Sequence, residues 1–164
     1  MKMNIFGKRG AEYIRFQTPL LVLIGAVGLV RLGLSIAGVP DSTVRWLSLT
    51  AVLPIAMLVG AVRVHTTGFG AYRQLLPVIF LQVFTAQIII IAGIAIAIIT
   101  QHENIFTRNE NVLPAADPGR IGAGATWTHA SAHVGAMILL SLAFWVVGSL
   151  VLLAARKLEL RHAQ

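Results

Sequence analysis

Four long, nearly uncharged stretches dominate this chain: Thr18 to Val39, Trp46 to Val64, Leu75 to Ile99 and Val134 to Ala155. Each comes close to or exceeds the roughly 20 residues that a helix rising ~1.5 Å per residue needs to cross ~30 Å of hydrocarbon. Inside lipid the backbone N–H and C=O groups meet no water, so such a run must become a helix that satisfies them internally. With 164 residues there is room for four spans and little else. The predicted fold is an all-α, integral membrane four-helix transmembrane bundle, one domain over residues 1–164, with an outer loop over 100–128.

The charges support this reading and set its direction. Only 12% of residues are charged against 57% apolar, which places the chain outside the range of soluble domains. The net charge of +7 would suit a nucleic-acid partner if it were spread over the surface. Instead Lys2, Lys8, Arg9, Arg15, Arg63, Arg73, Arg156, Lys157 and Arg161 all fall on one side of the four-span arrangement. Arg45, Arg108 and Arg120 fall on the other, together with Asp41, Glu103, Glu110 and Asp117. That asymmetry is the positive-inside pattern, and it puts the N- and C-termini in the cytoplasm. The basicity is topological, no nucleic acid is implied, and the expected location is a bacterial inner (plasma) membrane, multi-pass.

Several chemistries are excluded at once. There is no cysteine, so disulfides, thiolate metal sites and thiol redox reactions are absent. Ser35-Ile36-Ala37 resembles a signal-peptide cleavage site, but the first apolar run is read as a retained span that acts as its own insertion signal. Nothing resembles the disulfide-generating membrane oxidoreductases, the small multidrug exporters with a glutamate in the first span, or the lipoprotein signal peptidases with their paired aspartates. No serine or threonine stands beside a base in a nucleophilic motif, and the reading leans against an enzyme.

Helical spacing sorts the polar residues within the spans. Gln17, Leu21, Ile24, Gly28, Arg31, Ser35 and Gly38 recur at intervals of four and three, one stripe that should face the bundle. Arg31 lies ~10 Å inside the outer end of its helix, where a charge has to pair or snorkel outward. In the third span Gln82, Ala86, Gly93 and Ala97 form a small-residue seam with one amide available to bond across helices. Gln87 points elsewhere, with Arg31 as a candidate neighbour. Gly38 to Ser42 reads as a short outer turn. The inner hairpin from Arg63 to Arg73 reads as a connecting loop, with an anionic lipid headgroup as its alternative ligand.

The sharpest pattern is Trp127-Thr128-His129-Ala130-Ser131-Ala132-His133, which leads into the fourth span. His129 and His133 lie one helical turn apart on one face, a spacing that lets two imidazoles bind one ion. A complete site needs more ligands, and His102, Glu103 and Asp117 of the outer loop are the candidates. Arg31, Ser35, Gln87 and Asp117 would line the ligand side of the same pocket. A divalent metal ion is the implied cofactor. Haem b fits less well, because the first three spans offer no histidine at outer depth to face the pair.

The leading function is therefore a small membrane protein with an outer-face polar pocket that binds a metal ion or small ligand. Two alternatives stand beside it. One is a non-catalytic subunit or assembly factor of a larger membrane complex, whose partners are other membrane subunits or further copies of the chain. The other is an oligomeric transporter or channel with Arg31 and Gln87 along its path.

Overall fold

The structure, a computed structural model, describes residues 4–108 and 125–162. A two-strand ribbon, β1 (Asn4–Ile5) paired antiparallel with β2 (Lys8–Arg9), opens the described chain. Five helices follow: α1 (Gly10–Ile36), α2 (Asp41–Val44), α3 (Leu49–Thr66), α4 (Tyr72–Thr100) and α5 (Trp127–His162). Among the described residues four helical segments are long and apolar enough to cross a membrane, with α2 and α3 counted as one. The protein is an all-α four-helix bundle of the transmembrane kind. Large apolar side chains such as Val22, Leu29, Leu139 and Leu150 stand on its outside, more than half exposed. A helix apolar on every face belongs in lipid, since water would penalise the outward face.

The helices overrun the predicted spans at the end of the bundle that carries the N-terminus. The segment ahead of α1 packs onto the helices. A turn with positive φ at Phe6 (48°) and Gly7 (83°) folds it into the ribbon, as two-residue hairpins with this twist require. The Glu12 carboxylate accepts from the Arg9 N–H at 2.7 Å and starts α1 eight residues ahead of Thr18. The Tyr13 hydroxyl donates to the Ile5 carbonyl at 2.9 Å, and the Gln74 amide donates to the Phe6 carbonyl at 2.9 Å. Phe69, from the link between α3 and α4, stacks on Phe16 with centroids 4.0 Å apart. Lys8 lies 4.4 Å over the Phe69 ring and Arg63 lies 4.8 Å over the Phe16 ring. These two cations cover aromatic faces, an attraction of about 0.5–1 kcal/mol each at exposed sites.

At the opposite end the predicted turn after the first span holds more structure than expected. Gly38, at φ 79°, reverses the chain into the single turn of α2. The next helix begins at Leu49 rather than Trp46, because Val44 and Leu49 are both buried while Trp46 is 80% exposed. A continuous helix would not send all three to those places.

α4 is the hub, packing against α5, α1 and α3. Its expected seam of Gln82, Ala86, Gly93 and Ala97 is buried throughout. The α1 stripe is likewise mostly inward, with Gln17, Ile24, Gly28 and Ser35 buried. Gln82 donates its amide N–H to Gln17 Oε1 at 2.8 Å and to the Ala56 carbonyl at 3.1 Å, which ties three helices together at one point. Gly60 faces this clasp, and a Cβ there would sit 2.9 Å from Gln82 Nε2. α3 approaches so closely because no side chain intervenes.

The clasp is incomplete: Gln17 Nε2 and Gln82 Oε1 are buried without a hydrogen-bond partner. Gln82→Leu should lower stability by about 1 kcal/mol, the scale of an interhelical bond in a membrane. Gln17→Leu/Gln82→Leu should be at least as stable as the parent, since both orphaned polar atoms of the clasp then leave the core. Thermal unfolding in detergent micelles measures both, and a double variant weaker than the single one would contradict this account.

Candidate functional site

The polar residues gather at the end of the bundle opposite the N-terminus. Thr126 caps α5, its hydroxyl accepting from the His129 N–H at 3.1 Å, which holds the first turn in register. His129 and His133 then project from one face, as their spacing predicts. Their ring centroids are 5.0 Å apart and their Nε2 atoms 3.2 Å apart. The far side of the His133 ring meets α4, where Nδ1 lies 2.7 Å from Oε1 of Gln87, itself only 4% exposed.

These contacts assign the protons. An amide oxygen only accepts, so His133 Nδ1 carries hydrogen and donates to Gln87. In the neutral ring the His133 Nε2 then presents its lone pair toward His129, whose Nε2–H fills the 3.2 Å gap. Gln87 thereby fixes both the orientation and the tautomer of His133. Gln87, for which Arg31 was a candidate neighbour, bonds His133 through a side chain that faces α5.

Arg31 finds its partner ten residues along the chain. Its Nη2 donates to Asp41 Oδ1 at 2.9 Å, with the two side chains 12% and 25% exposed. Arg31 Nε remains buried with no hydrogen-bond partner. Arg31, His129 and His133 share a cavity of about 200 Å³, to which Thr50 adds a hydroxyl and Leu49, Ile90, Ile105 and Phe106 add apolar walls.

The other expected ligands are arranged differently. Ser35 is 5% exposed and its hydroxyl accepts from the Ile105 N–H at 2.8 Å, so it latches the loop. His102 and Glu103 are exposed, and His102 Nδ1 lies 2.6 Å from the Thr100 carbonyl. Asp117 lies outside the described residues. Among the described residues, no group of three or more His, Asp or Glu could hold a metal ion.

The polar start of the outer loop, Gln101 to Asn104, was expected to fold over the mouth; of these four residues it is Asn104 that turns inward, while the three before it stay exposed. Asn104 is 1% exposed, and it donates to the Gly93 carbonyl at 2.6 Å and accepts from the Phe106 N–H at 3.0 Å. The Thr107 hydroxyl bonds the Asn104 backbone from below, accepting from its N–H at 3.0 Å. This knot drives Ile105 and Phe106 inward to form two walls of the cavity. The Asn-x-x-Thr spacing, a pattern suited to local side-chain-to-backbone bonds, was the available signal. Phe106 also explains Gly93, where a Cβ would stand 2.5 Å from the Phe106 ring.

Comparison with protein-family models, curated proteins and solved structures finds no match for this chain. The function must therefore be argued from the site. Two imidazole nitrogens converging on one point, one of them braced by a buried amide, can share a proton or replace it with an ion.

Proposed function

We propose that this multi-pass membrane protein, with both termini in the cytoplasm, holds a divalent metal ion between Nε2 of His129 and Nε2 of His133. One observation carries the reading: the 3.2 Å separation of those atoms. A tetrahedral ion bound at about 2.0–2.1 Å by two nitrogens spaces them by roughly 3.3 Å. The pair is thus preset at the bite of such an ion, the His129 proton moving from Nε2 to Nδ1 so that both Nε2 lone pairs face it. The His133 Nδ1–H to Gln87 bond supports it, because metal-bound histidines generally donate their second N–H to an oxygen that fixes the ring. The charge asymmetry of the loops supports the orientation, with the site on the outer face.

The test is metal content after equilibration with zinc or cobalt(II) and removal of excess ion. One ion per chain is expected in the parent protein, and none in His129→Ala/His133→Ala. Gln87→Leu should bind the ion about 10–100-fold more weakly, as losses of such bracing bonds do. Full metal content in the double variant would end the proposal.

A further inference from the structure

We infer that one anionic phospholipid docks at the end of the bundle that carries the N-terminus, with an acyl chain in a groove between α4 and α5 and its phosphate at Arg73. The groove has a volume of about 280 Å³ and is walled by Leu76, Pro77 and Phe80 of α4, Ile138 and Leu142 of α5, and Phe6 of the ribbon turn. Ser141 also borders it, but its hydroxyl turns back to donate to the Met137 carbonyl at 2.6 Å. The walls therefore offer only hydrocarbon. Phe80, Ile138 and Leu142 are exposed on the outer surface of the bundle, so the groove opens toward lipid tails.

The wall supplied by the ribbon is built in advance. The Phe6 carbonyl accepts from the Gln74 amide and the Ile5 carbonyl from the Tyr13 hydroxyl, which fixes the turn against α4 and α1. Phe6 itself adopts φ 48°, a left-handed conformation that hairpin turns ordinarily give to Asn, Asp or Gly. A bulky residue held there is a backbone outlier, and such strain collects at ligand clamps. A wall already in place also lowers the ordering cost of binding.

Charge at the rim selects the headgroup. Arg73 precedes Leu76, Pro77 and Phe80 by three, four and seven residues, which sets it on the same stripe of α4, one turn beyond the groove. It is exposed, and a helical side chain leans toward the start of its helix, which carries the guanidinium out of the hydrocarbon to headgroup level. Trp145 marks that level. One turn past Ser141 and Leu142 on α5, it donates its indole N–H to the Tyr72 carbonyl at 2.7 Å, the placement of an interfacial aromatic. Lys8, Arg9, Arg15, Arg63 and Arg73 gather at this end against Glu12 alone among the described side chains. Lys8 and Arg63 lie over aromatic rings, whereas Arg73 stands at the mouth of the groove, where a phosphate complements its charge.

The experiment is native mass spectrometry of the full-length protein in a neutral detergent, titrated with phosphatidylglycerol or with phosphatidylcholine of the same acyl chains. The choline cation offsets the phosphate, so the parent should retain one phosphatidylglycerol at about fivefold lower concentration than phosphatidylcholine, the scale of one basic side chain near an anionic headgroup. Arg73→Gln should erase that preference and leave phosphatidylcholine retention unchanged. Phe6→Gly relaxes the turn and removes a wall, and it should weaken both lipids by about fivefold while keeping the preference. Equal retention of the two lipids by the parent, a preference that survives Arg73→Gln, or full retention by Phe6→Gly would each overturn the proposal.

Discussion

Asn104→Ala is expected to open the loop end of the bundle by local unfolding of residues 104–108, at a cost of about 2–3 kcal/mol. The side chain is 1% exposed and makes two hydrogen bonds, to the Gly93 carbonyl and from the Phe106 N–H. Each contributes roughly 0.5–1.5 kcal/mol, and the Phe106 N–H loses its acceptor when the amide is removed. Lost packing adds to this, because the loop presses Phe106 directly against Gly93. Hydrogen–deuterium exchange should therefore accelerate by about 30–150-fold at the amides of Ile105 to Arg108, given tenfold per 1.4 kcal/mol. Gly93→Ala should reach the same opened state from the other side, by evicting the Phe106 ring. Unchanged protection in both variants would mean that the loop is held by something other than this knot.

The second large effect concerns Arg31, the arginine paired with Asp41. Asp41→Asn should destabilise the protein by about 1–3 kcal/mol, because it strands the Arg31 guanidinium. Breaking a fully buried pair typically costs about 3–5 kcal/mol. The discount reflects a carboxylate that is a quarter exposed and partly screened already. The decisive comparison is Arg31→Met/Asp41→Asn, which removes both charges and should regain most of the loss. A double-mutant cycle measured by unfolding in detergent separates the pair from its surroundings. If Asp41→Asn and the double variant are equally unstable, Asp41 matters for the start of α2 and not as a counter-ion.

Some of the site was legible before any coordinates. The i, i+4 spacing of His129 and His133 on a helix leaves them no choice but one face, so their convergence was predictable. That Arg31 would either pair or snorkel outward was equally predictable, because a charge left unpaired among lipid tails is costly. Which partner it takes was not. Gln87 was the candidate neighbour, and helix rotation turned it toward α5, leaving Asp41, in the turn after α1, as the partner. Ser35 shows the same limit. Its position on the buried stripe was readable, but its use as an acceptor for the Ile105 N–H depends on a loop whose path no periodicity encodes.

Residues without a repeating environment were the hardest to read. His102 and Glu103 have the right chemistry for ligands and lie two residues and one residue ahead of Asn104, yet they are exposed while Asn104 is buried. A loop residue turns inward or outward according to which backbone groups need bonding at that point, and those needs come from distant helices. The early start of α1 is a similar case, since the contacts that order the lead come from Phe69 and Gln74, far along the chain.

The sequence by itself determined that this polypeptide makes four lipid-crossing helices, because apolar length and internal backbone bonding admit no other structure. It also determined which stripes could face inward, through the 3.6-residue period. Only the tertiary structure decided the pairings: Gln82 with Gln17, Gln87 with His133, Arg31 with Asp41, and the Asn104 knot against Gly93. These depend on rotation and depth of one helix against another, which are set by the close packing of glycines and side chains from all four helices together.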